Sequence, residues 1–265
     1  MRPAAAALLL LCAVSDARSQ TLTDRTIAAG GTTLRLRCGG ERAPGAPLVV
    51  FEAGAFNTVD TWRDVHQPIA AFARACAHDR PGRGASGPPP PGLDGPGYVA
   101  LVAAALAAAD EAPPYVLVGH SLGGLIAQLY AAERPAEVAG VVLVDSSHPD
   151  QVRRLAGLPR LTLPPRTTPA PPPEPVSLDA LSTALHHAPP PLKVPLVVLS
   201  RSHWLRADDG AEPRAWLERW HGLQRDLAAT SRQTRHVVAP DSGHYVQNDA
   251  PALVVGAVRG LIPRP

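Results

Sequence analysis

The sequence predicts an α/β fold in which a largely parallel sheet carries helices on both faces. Short continuous apolar runs recur along the chain, and segments with the helical spacing of apolar residues separate them. One run also leads through a glycine-flanked turn straight into a helix. Strands that alternate with helices need crossover connections, and crossovers set the strands parallel with both faces covered.

The elements follow in order. Leu34, Leu36 and Cys38 alternate with Thr33, Arg35 and Arg37, the period of a strand with one buried face. Residues 48–51 are unbroken apolar, as expected for a strand covered on both sides, and similar runs lie at 75–78, 115–118, 141–144 and 196–199. A shorter one, Val237-Val238, comes near the end. Helical patterns occupy 62–72, 98–109, 125–132, 216–227 and 253–261. From about 148–192 the rhythm breaks and proline accumulates, including Pro171-Pro172-Pro173 and Pro189-Pro190-Pro191. Proline has no amide to donate and breaks helix interiors, so an inserted lid without regular structure throughout is expected there.

A chain of 265 residues suits one large α/β domain and can bury most of its apolar surface. Its formal net charge is +2, and its 25 cationic residues, Lys193 the only lysine, are spread along the chain rather than gathered. No nucleic-acid partner is expected from such a distribution. Arg2, the apolar stretch 4–14 and the small residues flanking Arg18 in Ala17-Arg18-Ser19 read as a secretory signal peptide over residues 1–19. The folded domain then occupies 20–265 of a secreted or periplasmic protein. The leader's apolar stretch is too short to span a bilayer, and no later segment is long enough, so no stable membrane span is expected. Cleavage removes Cys12 and leaves Cys38 and Cys76 in an oxidising compartment.

Gly119-His120-Ser121-Leu122-Gly123 has the pattern of a nucleophile elbow, in which flanking glycines let a strand turn sharply into a helix and expose the serine. The run 115–118 leads in and the helical pattern 125–130 leads out, which is the setting the motif needs. Here the chain resembles the α/β-hydrolase fold family, in its serine-nucleophile branch, over most of its length after the leader. The resemblance implies a mostly parallel eight-stranded sheet with a short Pro-rich lid. It also implies a carboxylesterase-like enzyme that cleaves an ester or related acyl bond of a small molecule through a Ser-His-Asp triad and an acyl-enzyme, with no cofactor and no metal. Branches of the fold that open epoxides or remove halogens use a carboxylate where this chain has Ser121.

A serine hydroxyl needs a base within hydrogen-bond reach. The family carries it on a loop after the last strand, and Ser242-Gly243-His244 follows Val237-Val238, which makes His244 the candidate. His120, inside the elbow, is expected to support the turn; His186, His187 and His203 are read as solvated loop residues, without the further ligands a metal needs. The family's commonest acid stands just past the seventh strand, where Ser200-Arg201-Ser202-His203-Trp204 offers no carboxylate. Some members carry it one strand earlier, where Asp145 ends the run 141–144. Asp145 is favoured, and Asp208 and Asp209 stay open as alternatives.

The oxyanion formed in acyl transfer needs donors, by resemblance the amides of Leu122 and Ala55. Glu52 stands where the family usually has histidine, and a buried partner of a backbone amide or of Arg80 is its expected role. Asp79-Arg80-Pro81-Gly82-Arg83-Gly84-Ala85-Ser86 resembles the family's Asp-x-x-Gly-x-Gly-x-Ser turn, a structural feature. In this fold the second and fourth strands are neighbours, so a Cys38–Cys76 bridge is expected. Trp62, Trp204, Trp216 and Trp220 either line an apolar acyl pocket or pack the core. A catalytically silent binding protein with the same fold is the alternative, favoured by Glu52 and by the missing loop acid.

Overall fold

In the computed structural model, which describes residues 21–158, 172–188, 192–203 and 214–263, eight strands form a single sheet. They are β1 (Thr23–Ala29), β2 (Thr32–Gly39), β3 (Leu48–Glu52), β4 (Ala75–His78), β5 (Tyr115–His120), β6 (Val138–Val144), β7 (Leu196–Ser200) and β8 (Thr234–Val238). Their spatial order is β1-β2-β4-β3-β5-β6-β7-β8. All pairings from β4 to β8 are parallel, and the hairpin β1–β2 runs antiparallel along one edge. The signal peptide assigned to 1–19, Cys12, Trp204, Asp208, Asp209 and the insertion residues 159–171 and 189–191 lie outside the described residues.

β1 is the strand that apolar periodicity does not reveal. Ile27 is its one buried residue, and the remainder of this edge strand is exposed or half-buried. The signal was in the turn instead. Gly30 and Gly31 join β1 to β2 with φ of +53° and +78°, the left-handed pair that closes a tight hairpin and that glycine adopts without strain.

Two short 3-10 helices, Val59–Trp62 and Pro135–Glu137, and eight α-helices complete the described elements: α1 (Arg63–Ala70), α2 (Gly95–Ala108), α3 (Leu122–Glu133), α4 (Gln151–Leu155), α5 (Leu178–His187), α6 (Arg214–Ala228), α7 (Val246–Asp249) and α8 (Pro251–Leu261). Side chains of a strand alternate between faces, and β3 shows the result. Leu48 and Val50 join one core with Tyr98, Leu125 and Leu227, while Val49 and Phe51 join the other with Trp62, Ile69 and Val258. Thus α2, α3 and α6 cover one face, and α1 and α8 the other. Asp94 caps α2 by accepting from the Gly97 amide at 2.7 Å, and Ser177 caps α5 by accepting from Ala180 at 3.1 Å.

The insertion is more regular than its prolines suggest. Its second helix, α5, rests on α2 and α3, with Leu181 buried in their core, so His186 and His187 end a helix rather than sit in a loop. No described helix is long and apolar enough to cross a membrane.

Cys38 and Cys76 stand directly opposite each other in the β2–β4 register and are bonded as a disulfide. The bridge closes a loop of 38 residues, which in chain-entropy terms stabilises the fold by about 4 kcal/mol. Beside it, burial drives a polar cluster towards neutrality. Burial pushes the Glu52 carboxyl up to about 8 against the pull of the Arg80 charge, and pushes His78 down to about 3. Their 3.4 Å contact is therefore not an ion pair at neutral pH. In the Nε2–H tautomer, His78 donates to the Tyr98 hydroxyl at 2.9 Å, which donates to Glu52 at 3.3 Å.

Two outcomes follow from these groups. Thiol titration of denatured, unreduced protein should find Cys38 and Cys76 unreactive, and Cys38→Ser with Cys76→Ser should lose about 2–5 kcal/mol of stability. Two free thiols would disprove the bridge. Burial also lowers His66 and His148 to about 4 and His120 to about 3, so the unfolded chain takes up protons first as pH drops from 6.5, and stability falls. Glu52 acts oppositely: the fold keeps its proton up to about 8 while the unfolded chain releases it near 4.5, so stability falls as pH rises across that window. Five histidines lowered by burial, His236 among them, outweigh one carboxyl on the acid side, so stability peaks near neutrality. Urea unfolding across pH should show this dome, and Glu52→Gln should flatten its alkaline side.

Candidate active site

The turn between β5 and α3 holds Ser121 at φ +52° and ψ −120°, a conformation that a non-glycine residue adopts only under strain. Close packing imposes it. A Cβ on Gly119 would lie 2.4 Å from the Gly123 carbonyl oxygen, and one on Gly123 would lie 2.1 Å from the Glu52 carbonyl oxygen. Both flanking positions therefore admit glycine alone. The Ser121 amide donates to the Val144 carbonyl at 3.2 Å, and its carbonyl accepts from Ser147 at 3.0 Å, so the turn is tied to the end of β6. Its side chain stands half-exposed at the C-terminal edge of the sheet.

Asp145 follows β6 at φ +42° and is fully buried. One oxygen accepts from His244 Nδ1 at 2.6 Å and from Arg201 Nε at 2.7 Å, with Arg201 Nη2 at 2.5 Å. The other accepts from the Arg201 amide at 3.1 Å and from Trp220 Nε1 at 2.7 Å. Burial pushes this carboxyl up, but the Arg201 guanidinium and the His244 hydrogen bond outweigh it and hold it well below the usual carboxylate range. The group stays ionised.

His244 lies on the loop after β8, half-buried. Its carbonyl accepts from His120 Nε2 at 2.9 Å, and the two rings lie 4.6 Å apart, which seats His244 over the elbow. His120 thus supports the His244 loop as well as the turn. In the tautomer that donates from Nδ1 to Asp145, Nε2 carries the lone pair. Arg201 Nη2 also comes within 2.7 Å of Nδ1, so this cation touches both partners of the pair. Ser121 makes no side-chain hydrogen bond to another group among the described residues.

The loop after β3 closes the site. Gly123 draws it against the start of α3, and neither the Ala55 nor the Leu122 amide donates to another group among the described residues. Phe56, at φ +64°, gives its amide proton to the Glu174 carboxylate of the insertion. Arg80 donates to the carbonyls of Ala53 at 2.6 Å and Gly54 at 2.5 Å. Glu52 does not meet a backbone amide or Arg80 as expected: its side chain turns to Tyr98 and His78, and the carboxylate on Arg80 is Glu174. Asp79 is structural as expected. It accepts from the amides of Val59 at 2.8 Å and Ala85 at 3.0 Å, while a Cβ on Gly84 would come within 2.0 Å of its carboxylate.

Sequence reasoning missed Arg201, Trp220 and Glu174. A cation where the family has its acid was a signal, since a buried guanidinium requires a carboxylate within reach. The tryptophans divide: Trp62 is fully buried core, Trp220 holds Asp145, and Trp216 is half-buried on α6. Among the described residues one trio of metal-ligating types comes together, Cys38, Cys76 and Glu111, and its two sulfurs are bonded to each other.

Residues 47–188, more than half of the chain, match the family described as alpha/beta hydrolase fold, and the chain belongs to that family. It is 26% identical to the uncharacterized protein YqjL of Bacillus subtilis over 214 residues, 78% of this chain and 79% of that one. In shape it is similar to the enol-lactonase of Burkholderia xenovorans LB400, with a TM-score of 0.64 and 19% identity over 89% of this chain and 99% of the other. Epoxide hydrolase A of Mycobacterium thermoresistibile has the same TM-score at 20% identity, over 92% of this chain and all of its own. At these identities the likeness to the solved structures is one of fold.

Trp220→Phe tests the support of the buried carboxylate. It should keep the packing but remove one donor, at a cost of about 1–3 kcal/mol in urea unfolding. An unchanged midpoint would mean that the indole proton contributes nothing.

Proposed function

We propose that the protein is a serine hydrolase that cleaves an ester or related acyl bond of a small molecule, with Ser121 as nucleophile, His244 as base and Asp145 as acid. The observation that carries this reading is the 2.6 Å bond from His244 Nδ1 to a buried, ionised Asp145, beside a strained serine. It fixes the tautomer in which Nε2 can accept a proton and stabilises the imidazolium that results.

The steps balance as follows. The Ser121 hydroxyl oxygen attacks the acyl carbon while its proton passes to His244 Nε2. The carbonyl oxygen becomes an oxyanion that accepts from the amides of Ala55 and Leu122. Collapse breaks the bond to the leaving group, which takes the proton from His244, and leaves an acyl-enzyme. Water then attacks, giving its proton to His244, and the second tetrahedral species releases the acid and restores Ser121. No step calls for a cofactor. The enol-lactonase neighbour, an acyl-bond hydrolase by name, supports this chemistry, and Ser121 in place of a carboxylate separates it from the epoxide opening of the other.

A silent binding protein loses its main support, because Asp145 stands in for the missing loop acid and Glu52 turns away from the site. The Cys38–Cys76 bridge and the leader-like residues 1–19 support a secreted or periplasmic location.

A fluorophosphonate probe should label Ser121 in the wild-type protein and fail to label Ser121→Ala. Asp145→Asn, which costs stability by leaving Arg201 without its carboxylate, should in its folded fraction lower kcat towards p-nitrophenyl esters by about 10⁴-fold. Folded wild-type protein that neither reacts with the probe nor turns over such esters would restore the binder.

A further inference from the structure

We infer that Arg80 is a positioning residue for the oxyanion site, aiming the Ala55 amide through the peptide that joins Gly54 to Ala55, and that Glu174 of the insertion holds Arg80 in that role. The inference rests on the reading of Ser121 as an acyl-transfer nucleophile.

The geometry is that of one peptide plane. The Gly54 carbonyl and the Ala55 amide belong to the same planar, trans unit, so they point in opposite directions, and fixing the oxygen fixes the line of the N–H. Two donors fix that oxygen: Arg80 Nη2 at 2.5 Å and the Asn57 amide at 3.1 Å. Arg80 Nη1 holds the preceding carbonyl, Ala53, at 2.6 Å, so the guanidinium grips two successive peptides as a rigid fork. On the far side of Ala55, Glu174 holds the Phe56 amide and with it a residue in the left-handed region. Every peptide around Ala55 is therefore pinned, and its own N–H is left for a ligand.

A cation on the Gly54 oxygen does more than orient. It polarises the whole peptide, which strengthens the Ala55 N–H as a donor to developing negative charge. A buried guanidinium cannot be held there without a counter-ion. Glu174 supplies it, with Oε2 2.9 Å from Arg80 Nε and Oε1 3.2 Å from both Arg80 Nη2 and Arg83 Nε. The insertion thus reaches the reaction through the oxyanion loop, although Glu174 itself need not touch substrate.

The test compares Arg80→Lys, Glu174→Gln and the double variant Arg80→Met with Glu174→Gln, which removes Arg80 and its counter-ion together and leaves Arg83 as the cation without its carboxylate in both Glu174 variants. Thermal melting establishes folding, p-nitrophenyl acetate hydrolysis separates kcat from KM, and phenylboronic acid probes binding of a tetrahedral anion on Ser121. In the folded double variant kcat should fall roughly 10- to 100-fold, with KM within about twofold and boronate affinity weakened in parallel with kcat. Arg80→Lys should lie between it and wild type, since one ammonium replaces a two-armed fork. A folded double variant with wild-type kcat, or one that raises KM alone, overturns the inference while leaving the hydrolase reading intact. Should the double variant not fold, unchanged kcat and boronate affinity in both single variants overturn it equally. Wild-type protein that neither reacts with a fluorophosphonate nor hydrolyses the ester overturns the hydrolase reading and this inference with it.

Discussion

Asp145 is a carboxylate with no exposed surface, and the C-terminal edge of the sheet is arranged around it. Leaving such a charge unpaired inside a protein costs several kcal/mol, so the surroundings must deliver donors to both oxygens. They come from the loop after β7, through the backbone and side chain of Arg201; from α6, through Trp220; and from the loop after β8, through His244. Three separate elements are thereby referred to one point at the end of β6. Because β6 neighbours β5, the same point lies one strand away from the elbow.

The elbow depends on a second constraint, contact between backbones. Gly119, Gly123 and Gly124 each sit where a single added carbon would strike a neighbour, Gly124 within 2.0 Å of the Ser146 hydroxyl. The turn is tight because nothing but hydrogen separates it from the strands on either side. That closeness forces Ser121 into its unusual φ, and it also brings the end of β3 against the first turn of α3. One piece of packing thus strains the serine and draws together the loops that bear the Leu122 and Ala55 amides.

What could be read in the sequence follows from how local each signal is. The central strands announce themselves because burial on both faces demands unbroken apolar runs, and the elbow does because glycine is needed at fixed spacing. β1 was silent, since an edge strand with one buried residue carries no period. Asp145 was legible as a carboxylate at a strand end and His244 as a histidine after the last strand, whereas two further partners were not: Arg201 and Trp220 lie 56 and 75 residues from Asp145 and meet it only through the sheet order and the packing of α6. Glu174, 94 residues from Arg80 and set among prolines, gave no local sign of its place. Fold and nucleophile are recorded in neighbouring residues, and the supporting charges only in tertiary structure.

The Glu174–Arg80 contact bears on how such an enzyme diversifies. Insertions in a scaffold of this kind are the natural place to change substrate range, because they can be exchanged without touching the sheet. Here the exchange is not free, since Glu174 also supplies the counter-ion of a buried arginine that grips the loop after β3. A grafted segment lacking a carboxylate at that spot would leave a buried guanidinium without its counter-ion and destabilise the loop after β3. Changes in residues 172–188 are thus coupled to the packing of a loop far away in sequence through a single acidic side chain.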